Sequence, residues 1–285
     1  MYLTDVHMHS SFSGDSEEPM ENMILKAIDL GLSEICFTEH EDRILPVNSG
    51  RKEELDFRCF WLDVPPYMER LMKLRDKYSG RIKVGFGIEI GMDPEGADHN
   101  YAVASGYPFD FIIGSTHYVD GYDVYYKDYW KQGSPEVQMG RYFERTLENI
   151  RSFNDFDVLG HIDFAARYIP RGHEGVYTFD RYKEVIDGIL TFLIENGKGL
   201  EINTKALRVG MKEPHPSRDI LRRYRELGGS VITIGSDAHS AGEVGTFIRD
   251  ALIILKECGF SEYMTFSGRR FSAHKIELPC SEKDI

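Results

Sequence analysis

Short apolar, β-branched runs alternate along the chain with longer runs whose apolar positions recur every three or four residues. The short runs predict strands over residues 2–6, 34–37, 82–88, 110–114, 156–160, 199–202 and 231–234. The longer runs predict helices over 19–30, 66–78, 135–153, 179–195, 217–227 and 244–257. Local punctuation sharpens several edges. Ser134 followed by Pro135 reads as an N-cap and an N1 proline, and Gly228-Gly229 as a glycine stop directly before the strand at Val231. Strands that alternate with helices call for βαβ units and parallel pairing. Seven strands then suggest an α/β protein built as one TIM-like (β/α)7 barrel over residues 1–285, with 274–278 as a further short strand candidate. The irregular stretches 41–62, 91–108 and 118–133 are expected to be loops over the rim.

Composition narrows the class. The formal charge of −13 repels a phosphate backbone, so nucleic acid is not an expected partner, whereas a small phosphorylated substrate is allowed where local charge reverses the field. Cys36, Cys59, Cys258 and Cys280 form no CxxC pair, which points to free thiols in a reducing, cytoplasmic setting. No apolar run approaches a membrane span, and Asp5, His7 and His9 interrupt any signal-like segment. The sequence carries no signal for an oligomeric state.

Candidate chemistry gathers at the strand ends. His7-x-His9 closes the first strand and Asp237-x-His239 the last. In an extended strand, side chains two apart share a face, so each pair can aim two ligand groups into one cavity. Between them lie Thr38-Glu39-His40, Glu89, Ser115-Thr116-His117, Gly160-His161-Ile162-Asp163 and Glu201-Ile202-Asn203, each just after a predicted strand. Six of the ten histidines fall in these positions. Taken singly, each has an ordinary structural explanation as a rim carboxylate, a helix cap or a core histidine. Jointly they mark the C-terminal rim of a barrel, where barrel enzymes hold their chemistry. Imidazole mixed with carboxylate suits zinc, iron or manganese. His99, His173, His215 and His274 stand in polar surroundings and are expected to be exposed.

The motifs His7-x-His9, Thr38-Glu39-His40, Ser115-Thr116-His117, Gly160-His161 and Ser236-Asp237-Ala238-His239 resemble those of the PHP (polymerase and histidinol phosphatase) family. They occur in the family's order and span most of the chain. Its size, the Gly-His-Ile-Asp sequence and the long loop after His40 are most similar to the stand-alone histidinol-phosphatase branch. The resemblance implies a distorted (β/α)7 barrel holding three divalent metal ions (Zn, Fe, Mn or a mixture). One ion would be held by His7, His9, Glu89 and Asp237, and a second by Glu89, His117 and His161, with Glu89 bridging. The third would be held by Asp15, His40 and His239. Some relatives carry a histidine where Asp15 stands, and the harder aspartate oxygen shifts preference modestly from zinc toward iron or manganese.

The implied reaction is hydrolysis of L-histidinol phosphate in histidine biosynthesis, by attack of a metal-bound hydroxide on phosphorus. Arg167 and Arg208 fit the branch's phosphate-binding arginines and match phosphate oxygens bidentately; Arg43 and Arg171 are further cations on neighbouring loops. Glu201 and Asn203 are expected to position a loop or a water. For the substrate's amine the acidic candidates are Glu41, Asp42 and Asp163, and for its ring Tyr118 or Phe12. Other readings are a PHP phosphoesterase acting on a nucleoside bisphosphate or another small ester, and a barrel without catalysis, which the intact ligand set disfavours. A polymerase-associated exonuclease would need an attached polymerase. An amidohydrolase would need a coordinating lysine at a middle strand end, where none is seen.

Overall fold

The computed structural model describes residues 1–43 and 57–277. Seven strands form one parallel sheet: β1 (Thr4–Asp5), β2 (Glu34–Glu41), β3 (Lys83–Gly91), β4 (Phe111–Ser115), β7 (Val158–Leu159), β8 (Gly199–Asn203) and β9 (Ile232–Gly235), paired in that order. Val6 N–H donates to the Ile234 carbonyl, Asp237 N–H to that of His7 and His9 N–H to that of Ala238, which stitches the last strand to the first. The first and last strands of the barrel therefore meet where it closes.

Two antiparallel hairpins lie outside this sheet: β5 (Tyr118–Val119) with β6 (Tyr122–Asp123), and β10 (Glu262–Ser267) with β11 (Arg270–Lys275). The first folds a segment read above as loop. Asp120 and Gly121 both take positive φ, the geometry of a tight two-residue hairpin turn. The second replaces the single extra strand suggested over 274–278, of which residue 278 lies outside the described residues. Its Met264 and Phe266 bury against Val6, Cys36, Phe111, Ile113 and Val158, plugging the barrel from below.

The outer layer is helical: α1 (Met20–Asp29), α2 (Val64–Tyr78), α3 (Ala97–Gly106), α4 (Lys127–Trp130), α5 (Pro135–Ser152), α6 (Phe179–Glu195), α7 (Lys205–Arg208), α8 (Arg218–Glu226) and α9 (Ile248–Glu257). Helix α6 buries Tyr182, Ile186, Ile189, Leu190 and Leu193, the three-and-four spacing that made it legible. Each such side chain contributes roughly 1.5–3 kcal/mol through burial. Helix α5 starts as its sequence implied, with Ser134 Oγ accepting from Val137 N–H and Pro135 in the first turn. Helix α3 forms within the stretch 91–108 expected as loop; it buries only Asn100 and Ala104 and so shows no apolar stripe in the sequence. Helix α9 starts four residues later than 244: Gly245 takes φ +71 and donates its N–H to Asp5, so that stretch serves the barrel closure instead. No helix among the described residues is long and apolar enough to cross a membrane.

Candidate metal centre

The strand ends deliver their side chains to a cavity of about 520 Å³ at the C-terminal mouth of the barrel, with Glu89 buried at its base. Alternation along β3 points Gly85, Gly87 and Glu89 inward, and the two glycines leave the lumen below the carboxylate narrow. One oxygen of Glu89 lies 3.3 Å from His7 Nε2, 3.5 Å from His9 Nε2 and 3.0 Å from His40 Nδ1. The other lies 2.9 Å from His161 Nε2 and 3.4 Å from His117 Nε2. His7 Nε2 and His9 Nε2 face each other at 3.0 Å, and His9 Nε2 lies 3.6 Å from Asp237 Oδ1. On the outer side, Asp15 Oδ2 sits 3.0 Å from His239 Nε2 and 3.6 Å from His40 Nε2.

These spacings fit a metal. Nitrogen and oxygen ligands about 2.0–2.2 Å from a shared ion stand about 3.0–3.5 Å from one another. Glu89 Oε2 is buried and makes no hydrogen bond, although three imidazole nitrogens lie within 3.5 Å of it. A buried carboxylate oxygen placed this way has a shared cation as its natural partner.

A second layer of side chains fixes the first. Glu201 Oε1 holds His7 Nδ1 at 2.5 Å, and Asp42 Oδ1 holds His117 Nδ1 at 2.8 Å. Both are the carboxylate–histidine pairings that orient metal-binding rings. Ser115 donates to Glu89 Oε1, and Asn203 Nδ2 reaches both Glu201 and Asp237. Glu39 accepts from the Ser10 and Ser13 hydroxyls, and His40 N–H donates to Ser13. Asp237 takes φ +53, a left-handed turn that swings its carboxylate into the cavity just after β9.

The electrostatics suit ligation. Burial alone would neutralise Glu89 and Asp237, but His7, His40 and His117 hold the first well below its ordinary pKa, and Lys205 and His7 the second. Burial and the nearby His40 and His239 hold His9 well below the usual imidazole range, hence neutral. Burial lowers His7 too, but Glu201 and Glu89 outweigh it and raise the ring; a metal taken up here displaces that proton.

All nine residues His7, His9, Asp15, His40, Glu89, His117, His161, Asp237 and His239 thus come together. The other expected site residues divide. Asp42 and Tyr118 line the cavity. Arg208 does not: its guanidinium donates to the Ser236 and Asp237 carbonyls and lies 3.4 Å from Glu243, bracing the loop that carries Asp237. Arg167 stands beside the cavity, its guanidinium over the Phe164 and Tyr168 rings. Arg43 is taken up by Glu41 and His99 and stacks on Trp61. Asp163 is fully buried and bonded to His215, Tyr177 and the Ser217 N–H, so it cannot meet a substrate. His215 is correspondingly buried rather than exposed. Phe12 packs against Tyr67, away from the cavity.

Two charged residues of the cavity escaped the sequence reading. Lys205, at the start of α7, places Nζ 3.0 Å from Asp237 Oδ1 and 3.3 Å from His239 Nδ1. Among the described residues it is the one Lys or Arg lining the cavity. It lies two residues past β8, the sixth of the seven barrel strands, and so not at a middle strand end. Asp123 closes the first hairpin, whose Asp-Gly turn was a readable signal.

Comparison with known proteins identifies the family. The PHP domain model matches residues 5–205. A histidinol-phosphatase of Lactococcus lactis is 34% identical over 98% of this chain and 99% of its own. The crystal structure of histidinol phosphate phosphatase from that species, complexed with zinc, L-histidinol and phosphate, superposes with a TM-score of 0.85 at 32% identity, covering 95% of this chain and 98% of that one. The histidinol-phosphatase of Saccharomyces cerevisiae is 24% identical over 84% of this chain and 85% of its own. With its seven-stranded parallel barrel and a family match over most of its length, the chain belongs to the PHP domain family.

Proposed function

We propose that this protein is a metal-dependent histidinol-phosphatase, hydrolysing L-histidinol phosphate to L-histidinol and phosphate in histidine biosynthesis. The observation that carries the reading is the convergence of five imidazoles within 3.5 Å of the buried Glu89 carboxylate, in a chain so similar to histidinol-phosphatases. His7, His9, Glu89 and Asp237 would hold one divalent ion; Glu89, His117 and His161 a second; Asp15, His40 and His239 a third. Zinc, iron and manganese all accept this donor set. Such ions neutralise the phosphate dianion, acidify water and stabilise the leaving oxygen.

The chain's own groups do the rest. Glu201 and Asp42 fix the ring orientations of His7 and His117, so the centre is organised before substrate arrives. Lys205 faces the cavity beside Asp237 and His239, where its ammonium supplies a donor to a phosphate oxygen. Phe60, Phe164 and Tyr168 wall the cavity and keep bulk water from the phosphorus.

The test is phosphate release from L-histidinol phosphate against a panel of small phosphate esters, with the protein as purified and after chelation. The expected outcome is preference for L-histidinol phosphate and loss of activity on chelation, restored by adding a divalent ion. Equal rates across the panel would replace the substrate assignment, and activity after verified metal removal would overturn the metal dependence.

A further inference from the structure

L-Histidinol phosphate carries an ammonium group beside the carbon that bears the ester, and an acidic side chain is its natural counterpart. Three candidates from the loops are already taken. Asp42 is committed to His117 and Asp163 to His215, while Glu41 accepts from the Leu62 N–H and lies 2.6 Å from His99. A fourth carboxylate is not. Asp123 lines the same cavity as the metal centre. Its Oδ1 accepts the Tyr125 N–H, and among the described residues no Lys, Arg or His pairs with it. Tyr118, Tyr125, Tyr126 and Tyr168 stand around the same part of the cavity.

The position is held firmly. Asp123 pairs with Tyr118 across the hairpin, and the next residue, Val124, donates its N–H to the His117 carbonyl. The turn of the hairpin is tied to α5, with Asp120 bonded to Arg141 and Arg145. Trp130 Nε1 donates to the Val124 carbonyl. A carboxylate is thus fixed one short hairpin away from a metal-facing imidazole, with an open oxygen and aromatic neighbours. Burial, assisted by the charge of Asp42, pushes its carboxyl up to about 6, against the pull of the Tyr125 N–H and His117. An ionised Asp123 is therefore poorly compensated by the protein alone, and a substrate cation supplies the missing partner.

We infer that Asp123 is the receptor for the ammonium group of the leaving alcohol and sets the preference for amino-alcohol phosphates. This rests on the histidinol-phosphatase reading and specifies how that site selects its substrate. The aromatic residues around Asp123 favour a cation next to a planar ring.

The test compares wild type with Asp123→Asn and Asp123→Glu on two esters: L-histidinol phosphate and 3-(imidazol-4-yl)propyl phosphate, which lacks only the amine. L-Histidinol binding, measured by calorimetry, gives a readout independent of turnover, and elemental analysis checks the metal content. For Asp123→Asn we expect kcat/KM for the natural ester to fall on the order of 10- to 100-fold, mostly through KM. The amine-free ester should change less than about threefold, L-histidinol binding should weaken in parallel, and metal content should hold. Asp123→Glu should recover part of the selectivity. Equal losses on both esters, or no loss on either, would overturn the assignment. If wild type itself fails to prefer L-histidinol phosphate over the panel, the proposed function fails instead, so the two failures are distinguishable.

Discussion

Glu89 lies within 3.5 Å of five imidazoles, so its charge organises the centre as much as any metal preference does. Its position at the end of an apolar strand was legible, because a carboxylate there has to be explained by chemistry or by a partner. Lys205 was not legible in the same way. Its number places it on a rim loop like any solvated lysine, and only the fold shows Nζ against Asp237. Arg208 is the converse case: a sound candidate by sequence, spent on backbone carbonyls in the structure. The exchange of roles is testable. Lys205→Met should weaken competitive inhibition by inorganic phosphate about 10- to 100-fold while leaving metal content intact. Unchanged phosphate inhibition would remove Lys205 from the phosphate site.

The elements explain why the donors meet. Strand parity sends Glu89, Ser115 and Glu201 inward from three different strands, the left-handed turn after β9 adds Asp237, and the register β2–β3 sets His40 directly beside Glu89. Gly235 shows how tightly β9 packs there. A Cβ at this position would collide with His7 and stand 2.5 Å from Glu201 Oε1, disturbing a candidate ligand and the group that orients it. Gly235→Ala is therefore expected to cost roughly 1–3 kcal/mol of stability and to weaken metal binding about 10- to 100-fold. Thermal unfolding and metal titration measure the two effects, and a variant with wild-type metal affinity would show that β1 and β9 can part without consequence. The seven barrel strands were readable because buried β-branched runs between amphipathic helices have few other solutions. The two hairpins were less so: the Asp120-Gly121 turn is a local signal, but the strands it joins are not. Their strands are short or half-exposed, and β10 is buried by the lumen it plugs, a contact that local periodicity does not encode.

At the scale of the molecule, a chain of net charge −13 is proposed to bind a phosphate ester. The conflict is local rather than global if cations sit at the barrel mouth, where Asp15, Glu89 and Asp237 face one cavity. The first and last barrel strands, far apart in sequence, lie side by side, which is why His7-x-His9 and Asp237-x-His239 read as one site from the sequence. The sequence could not divide these donors among ions, since spacing gives parity but not distance, and it could not tell a structural Asp163 from a cavity-facing Asp123. The central claim is that Glu89 anchors a shared multi-ion centre. Elemental analysis of the purified protein, beside Glu89→Gln at matched folding by circular dichroism, tests it most directly. The expected result is about three divalent ions per chain in the wild type and loss of at least the two that share Glu89 in the variant, with turnover abolished. A variant that keeps the full metal complement and its activity would contradict it.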